Sequence, residues 1–227
     1  MTMDHSLALA ILLVAMCRQI ESVTEGEDDG SDIDIREALN TSEPLWLFWQ
    51  SDRNSFSACS EDYCINETET CIRNVMIDIS SEEYVFNQAM LLNGEPHLFS
   101  RYTTGYIGEF NDGKTPPKSM EVREVGDPLA EDSGSGLHQL WVLQYLEPGD
   151  HRCIVFFIQE LEGATEDDLK ICEMYIKGKP QPSDPPSGCR TFFKARCNAT
   201  QIYKPYSTTC KEVVKLTDTT ANSGVRA

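Results

Sequence analysis

The sequence predicts an all-β fold, an eight-stranded antiparallel barrel stapled by disulfides. From Pro44 onward, short apolar or alternating segments recur, and residues that favour turns separate them. Eight cysteines lie beyond the N-terminal region. The chain of 227 residues is long enough to bury a core of its own, because a fold of about 200 residues buries roughly 70% of its unfolded surface.

The N-terminal residues have the features of a secretory signal. Leu7 to Cys17 is apolar, too short to span a bilayer, and followed directly by polar residues, so residues 1–22 are predicted to be a signal peptide. We expect a secreted, extracellular and soluble product. Three glycosylation sequons agree with this prediction, and they begin at Asn40, Asn66 and Asn198.

The mature chain is predicted to begin with a flexible segment. Residues 23–33 are strongly acidic and cannot pack into a core, and Ile33 to Leu39 then forms a short amphipathic helix. The barrel domain is expected to span residues 34–212, with a flexible tail at 213–227.

Eight segments have strand character, and turn residues such as Asn93-Gly94 and Pro148-Gly149-Asp150 lie between them. The predicted strands are Leu45 to Gln50, Cys71 to Ile79, Tyr84 to Leu92, His97 to Ile107, Ser119 to Val125, Leu137 to Leu146, Cys153 to Gln159 and Ile171 to Lys177. Pro180 to Pro186 then breaks the sheet, and Cys189 to Cys197 is expected to form a helical turn on the outside of the barrel.

The cysteines of the mature chain are even in number, which in a secreted protein predicts four disulfides. Their spacing leaves 105 pairings open. Three cysteines come early and five late, so at least one bridge is expected to join the two ends of the chain. The sequence has no pair of C-x-x-C motifs, and no metal site is predicted.

Charge and motifs exclude several classes of function. The net charge is -18 and the sequence has no basic cluster, which argues against a nucleic-acid partner. The acidic residues either form a solvated surface or attract cationic ligands. Gly108 to Thr115 matches a phosphate-loop pattern, but Pro116-Pro117 follow where a helix is required. The histidines stand in no catalytic pattern, so we expect neither an enzyme nor a cofactor.

Large aromatic residues recur with period two on the predicted strands. Trp46 and Phe48 share one face and Trp49 the other, Trp141 and Tyr145 are placed together, and Tyr102 and Tyr106 share a third strand. A barrel of eight strands has room for its own side chains or for one small ligand. These rings are therefore either core packing or the lining of a binding cup.

Two parts of the sequence together carry a family resemblance. The first is Asp34 to Leu47 (DIREALNTSEPLWL), and the second comprises Cys153-Ile154-Val155, Glu173-Met174-Tyr175 and Cys189. They resemble the tick salivary lipocalins, the histamine-binding protein family. In that family a short helix leads into the first strand, and a biogenic-amine motif consists of Cys, acid and aliphatic residue, then Glu-Leu-Trp or Glu-Leu-Tyr, then a later Cys. The resemblance extends from about Asp34 to Cys210.

This resemblance implies a lipocalin-type barrel in tick saliva, which sequesters host mediators such as histamine, serotonin or leukotrienes and so serves evasion of host defence. It also implies one bridge between Cys153 and Cys189 and another from the early cysteines to Cys210. The resemblance assigns no disulfide partner to Cys172.

The motif departs from the family at Ile154, where amine binders carry Asp or Glu. A buried ammonium group needs a carboxylate partner, and aromatic faces add roughly 0.5 to 2 kcal/mol. Glu173 remains, and alternation places it on the same face as Tyr175, opposite Cys172. Glu173 is thus either a counter-ion for an amine or an interior acid satisfied by neighbouring side chains.

Three functions compete, all for a monomer that associates with neither membrane nor nucleic acid. The first is amine binding with Glu173 as counter-ion, with Tyr175 beside it and a cage of aromatic side chains: Trp46, Tyr102, Trp141 and Tyr145. The second is a lipid mediator held by an apolar lining, with Arg101 as the inward base. The third is surface binding to a host protease or complement protein. Sequence leaves open whether Asp78, Glu83, Glu121 and Glu124 face inward, because one residue of register reverses every face.

Overall fold

The computed structural model describes residues 33–60, 63–94, 98–111, 113, 115–125, 137–161, 171–181, 183–197 and 199–210. The predicted signal peptide, nearly all of the acidic segment, the C-terminal tail and the Asn198 sequon lie outside these residues and stay predictions.

The described chain contains two helices and nine strands. They are, in chain order, α1 (Ile35–Leu39), β1 (Leu45–Gln50), β2 (Ser55–Ser60), β3 (Tyr63–Ile79), β4 (Glu83–Gly94), β5 (Leu98–Phe110), β6 (Ser119–Glu124), β7 (His138–Leu146), β8 (Cys153–Glu160), β9 (Ile171–Lys177) and α2 (Ser187–Arg196).

Eight of the strands form a closed antiparallel barrel. The order of pairing is β1, β9, β8, β7, β6, β5, β4, β3, and the pairs of Leu45 with Asn74 and Trp46 with Arg73 close β3 onto β1. Strand β2 pairs only with the first part of β3 and lies beyond the closed ring. The predicted fold class is therefore confirmed, and each of the eight predicted strands is present.

Strand β2 and the early start of β3 were not predicted. The segment Ser55–Ser60 (SFSACS) lacks a run of apolar side chains, so its sequence gives little strand signal. A disulfide between the directly paired Cys59 and Cys64 joins the two strands near their turn.

Helix α1 covers one end of the barrel. Asp34 caps it, because its carboxylate accepts a hydrogen bond from the backbone N–H of Arg36 at 2.8 Å. The buried side chains Ile35, Ala38 and Leu39 belong to the interior cluster, and the N–H of Ile35 donates to the carbonyl of Pro117 at 2.9 Å. The other end of the barrel contains the end of β1 and the start of β9.

Strands β8 and β9 have two apolar faces. Ile154, Phe156 and Tyr175 pack into the interior cluster, whereas the alternate residues of both strands pack against α2 on the outside. Phe193 on α2 is fully buried there, and its ring meets Trp49 edge-on with centroids 5.8 Å apart. The predicted helical turn on the outside of the barrel is thus a ten-residue helix.

Four disulfides join the described cysteines: Cys59 with Cys64, Cys71 with Cys210, Cys153 with Cys189, and Cys172 with Cys197. The second and third agree with what the resemblance implies. The Cys71–Cys210 bridge spans 139 residues and joins the early and late parts of the chain. The third and fourth attach α2 and the residue after it to β8 and β9.

None of the described helices is long and apolar enough to cross a membrane. Within the described ranges, no three His, Cys, Asp or Glu side chains come together in a way that could hold a metal ion.

Candidate functional site

The candidate site is built around Glu173 and Tyr175, which lie on the inner face of β9. Tyr175 is fully buried in the interior cluster, and Glu173 is paired across the strands with Phe156, another interior residue. Directly paired residues of an antiparallel sheet share a face, so Glu173 faces inward. The opposite face of β9 carries Cys172, which is bonded to Cys197 on the outside.

The two side chains are bonded to each other. The Tyr175 hydroxyl donates to Oε2 of Glu173 at 2.5 Å, while Oε1 accepts no hydrogen bond from any described residue. Glu173 is only partly buried, and Oε1 is not among the enclosed polar atoms that lack a partner. One carboxylate oxygen is therefore held by Tyr175, and the other accepts no hydrogen bond from the described residues.

The environment of Glu173 opposes its ionisation. Desolvation raises the pKa of its carboxyl, the bond from Tyr175 opposes the rise, and the negative charges of Glu69 and Asp52 add to it, so that the pKa is about 7 against the ordinary 4.5. Among the described residues, no Lys, Arg or His side chain forms an ion pair with Glu173 or Glu69. Within the part of the chain that the structure describes, these carboxylates thus have no cation in an ion pair with them.

Two more carboxylates face the same interior. Glu69 pairs with Leu92, which alternation along β4 places on the same face as the interior residue Phe86. Glu124 pairs with Tyr106 of the interior cluster. Burial raises the pKa of the Tyr106 hydroxyl, and the negative charges of Glu124 and Glu69 raise it further.

The structure thereby separates the four acids whose faces the sequence left open. Glu124 lies on the inner face of its strand, toward the end opposite α1. The other three acids are Asp78, Glu83 and Glu121. Each alternates along its strand with an inward-facing residue, or pairs with a residue that does, so all three lie on the outer face.

Aromatic rings also line the interior of the barrel. The Trp141 ring lies 6.1 Å from that of Tyr175, 5.5 Å from Phe156 and 5.9 Å from Phe86, measured between centroids. Phe86 in turn stacks on Tyr106 at 5.3 Å. The predicted wall residue Trp141 therefore lies inside the barrel, beside Tyr175.

An amide pair lies in the interior on strands β3 and β4. The Asn74 side chain is only 2% exposed, and Asn74 pairs with the interior residue Leu45. The Gln88 amide donates to Oδ1 of Asn74 at 3.1 Å. Burial raises the pKa of the Tyr175 hydroxyl well above its ordinary value, and the Glu173 charge adds to this effect, so Tyr175 is a neutral donor at physiological pH.

Two predicted cage residues lie outside the barrel, and both predictions are wrong. Trp46 packs edge-on against Tyr206 at 5.3 Å, and the guanidinium of Arg73 lies over its ring. Alternation could not decide which face of β1 is inside, and the interior takes Leu45 and Leu47 instead.

Tyr145 is on the outer face because β7 contains a bulge. The pairing of β7 with β8 shifts register between Leu143 and Tyr145, which reverses the alternation that begins at Trp141. Tyr145 therefore stacks on Phe192 of α2 at 5.0 Å and donates to the Glu147 carboxylate at 3.0 Å.

The remaining predicted residues lie near the end opposite α1. Tyr102 shares the face of Tyr106 on β5 but is 49% exposed. Arg101 lies on β5 opposite Leu91, and its side chain is outside the described part of the chain. Ile154, the departure from the amine motif, is fully buried in the interior beside Tyr175, so this position contributes no charge.

Sequence reasoning missed Glu69, Asn74 and Gln88. The signal for Gln88 was present, because it alternates with Tyr84 and Phe86 on β4. Glu69 was hidden by an irregularity in β3 at Cys71, whose φ of 54° places it in the left-handed region and shifts the register. Among the sequons, Asn40 and Asn66 are exposed.

Comparison with known proteins gives a family and two similar structures. The model of the family described as tick histamine binding protein matches residues 24–212. The structure of Japanin from Rhipicephalus appendiculatus bound to cholesterol is 10% identical, with a TM-score of 0.49, and the match covers 76% of this chain and 98% of that one. A second match is the AM182 serotonin complex, at 14% identity and a TM-score of 0.45, covering 81% and 95%. No curated protein sequence matches the chain.

Proposed function

Because the chain belongs to the tick histamine-binding protein family, we propose that it is a lipocalin that sequesters a biogenic amine, histamine or serotonin, inside its barrel. Glu173 is the counter-ion for the ammonium group in this proposal. The protein acts by binding rather than by catalysis. We also propose that it is secreted, in keeping with its four disulfides and its apolar N-terminal segment.

The observation that carries the proposal is the unbalanced charge at Glu173. A carboxylate inside a barrel is costly unless a cation or hydrogen bonds compensate it. The described residues supply one hydrogen bond from Tyr175 and two further negative charges, Glu69 and Asp52. A ligand ammonium at Oε1 would supply the missing positive charge.

Neighbouring groups fit the rest of such a ligand. The interior cluster contains the rings of Trp141, Tyr106 and Phe86, and an ammonium held near an aromatic face gains roughly 0.5 to 2 kcal/mol. Glu69 adds a second carboxylate for the ligand's remaining polar or charged group. Ile154, beside Tyr175 on the adjacent strand β8, adds an apolar surface.

Calorimetric titration with histamine and with serotonin tests the proposal, using wild type, Glu173→Gln and Glu109→Gln. Glu109 lies on an exposed outer position of β5, so its variant loses one negative charge without changing the interior. We expect tight binding by wild type and by Glu109→Gln, and a loss of about 30- to 150-fold in Glu173→Gln, the effect of about 2 to 3 kcal/mol for an unpaired ammonium.

Equal binding by all three proteins would contradict the role of Glu173. Absence of binding to either amine by wild type would contradict the amine proposal. A parallel titration with a leukotriene would then test the lipid alternative, for which the interior offers the apolar lining around Ile154.

A further inference from the structure

We propose that Gln50 is a second acceptor for the ammonium group bound at Glu173, and that the site therefore selects primary amines. This inference rests on the proposed function of Glu173 and adds a residue from another strand. Gln50 is the last residue of β1 and pairs directly with Glu173 on β9, so the two side chains share the inner face of the barrel. The Cβ atoms of such a pair lie about 4.5 to 5.5 Å apart, so one small group can contact both side chains.

A bulge in β1 determines the face on which Gln50 lies. Leu45 and Leu47 face the interior, so uninterrupted alternation would place Trp49 inside and Gln50 outside. The pairing with β9 shifts register between Leu47 and Trp49, and the Trp49 ring packs on the outside against Phe193 of α2. Gln50 consequently turns inward, and it is only 6% exposed.

The segment that follows β1 orients the Gln50 amide. Its Nε2 donates to the backbone carbonyl of Asp52 at 2.9 Å. Because a carbonyl oxygen can only accept, this contact identifies the nitrogen of the amide, and Oε1 is left for another donor. No described residue donates to Oε1, and it is not among the enclosed polar atoms that lack a partner, so it retains contact with solvent. A side chain that is almost fully buried thus keeps one acceptor for a ligand.

Gln50 and Glu173 together present two acceptors to the same ligand. The Tyr175 hydroxyl already donates to Oε2 of Glu173, which leaves Oε1 of each side chain without a hydrogen bond from the described residues. Adjacent acceptors without a donor are unfavourable, and a primary ammonium has three N–H donors, enough to reach both oxygens. A dimethylated ammonium carries the same charge but has a single N–H, so it can satisfy only one of them.

Calorimetric titration with histamine and with its derivative dimethylated on the side-chain amine tests this selection, using wild type, Gln50→Leu and Gln159→Leu. Gln159 is the matched control, because it follows the interior residue Ile158 on β8 and therefore lies on the outer face. We expect wild type and Gln159→Leu to bind histamine about tenfold more tightly than the dimethyl derivative. Gln50→Leu should bind histamine about tenfold more weakly than wild type and discriminate less than about threefold between the two ligands.

The ratio of the two affinities separates hydrogen bonding from packing. If Gln50 acts only by packing, its replacement weakens both ligands equally and leaves the ratio as in wild type, which would overturn the proposal. Equal affinity of wild type for the two ligands would overturn it as well, and that comparison requires no variant. If Gln50→Leu does not fold, Gln50→Met removes the amide while keeping the length of the side chain, and the same reduced ratio is expected.

The two proposals fail in different ways. If Glu173 is not the amine counter-ion, Glu173→Gln binds histamine like wild type. If Gln50 is not an acceptor, Glu173→Gln loses binding, while Gln50→Leu shows the same ratio of affinities as Gln159→Leu. If wild type binds neither ligand, both proposals are wrong.

Discussion

The outer and inner faces of β8 and β9 differ in chemistry although they share the same strands. On the outer face, Cys153 and Met174 belong to a buried apolar layer under α2, which two disulfides fasten to the barrel. On the inner face, one residue along β9, Glu173 lies among carboxylates with no described cation paired to it. The outer layer supplies stability, while the inner face holds carboxylates that form no ion pair with a described cation.

The largest expected effect is the loss of stability when a disulfide of the outer face is removed. Replacing Cys153 and Cys189 together by Ala removes a cross-link that closes 36 residues, which costs about 4 kcal/mol of unfolding free energy in the chain-entropy account. Urea unfolding measures this loss. The amine affinity of the folded variant should stay within about twofold of wild type. A tenfold loss of affinity in a folded variant would show that the two faces are not independent.

On the inner face, by contrast, the ionised Glu173 should lower the stability of the ligand-free protein. The pKa of Glu173 is about 7 in the folded protein against an ordinary 4.5, so the folded state binds more protons than the unfolded state between these values. The stability from this group is complete below about pH 4.5 and is lost as the pH rises through 7. At about 1.4 kcal/mol per pKa unit, and reduced because Glu173 is only partly buried, the loss is about 2 kcal/mol.

Glu173→Gln should abolish this pH dependence, so that the ligand-free variant is more stable than wild type at pH 8 by about the same amount. Urea unfolding at pH 5, 6, 7 and 8 is the measurement, with Glu109→Gln as control. A variant that is less stable than wild type at pH 8 would mean that Glu173 contributes to the stability of the empty barrel.

The smallest effect is expected at Glu69, which acts on the ligand from β3, a strand separated from β9 by β1. At pH 8, Glu69→Gln should weaken amine binding about threefold, because one negative charge is lost at longer range. It should also lower the pKa of Glu173, since the Glu69 charge raises it. Calorimetry and carboxyl NMR check the two effects, and a loss as large as that of Glu173→Gln would make Glu69 the principal counter-ion.

The comparison also explains which features the sequence could predict. Strand positions followed from apolar segments and turn residues, and the face of Glu173 followed from its alternation with Cys172, whose disulfide lies outside. Alternation alone could not choose the inner face for Trp46. A bulge after Leu143 reversed the face of Tyr145, and bulges leave no clear mark in a sequence.

The polar part of the site depends on pairing between distant segments. Glu69 and Asn74 lie on either side of an irregularity at Cys71, so their shared inner face appears only when β3 is aligned with β4. Asn74 and Tyr175 both lie inside the barrel although about 100 residues separate them along the chain. Only the closure of the barrel brings these residues together, and no local pattern records it.

The most direct test of the central claim is the number of protons released when the amine binds. Serotonin binding at pH 7 is measured by calorimetry in two buffers of different ionisation enthalpy. Because Glu173 is about half protonated in the free protein at this pH, its pairing with an ammonium should release about half a proton, and Glu173→Gln should release almost none. Binding of undiminished affinity in Glu173→Gln, without any proton release in wild type, would contradict the account.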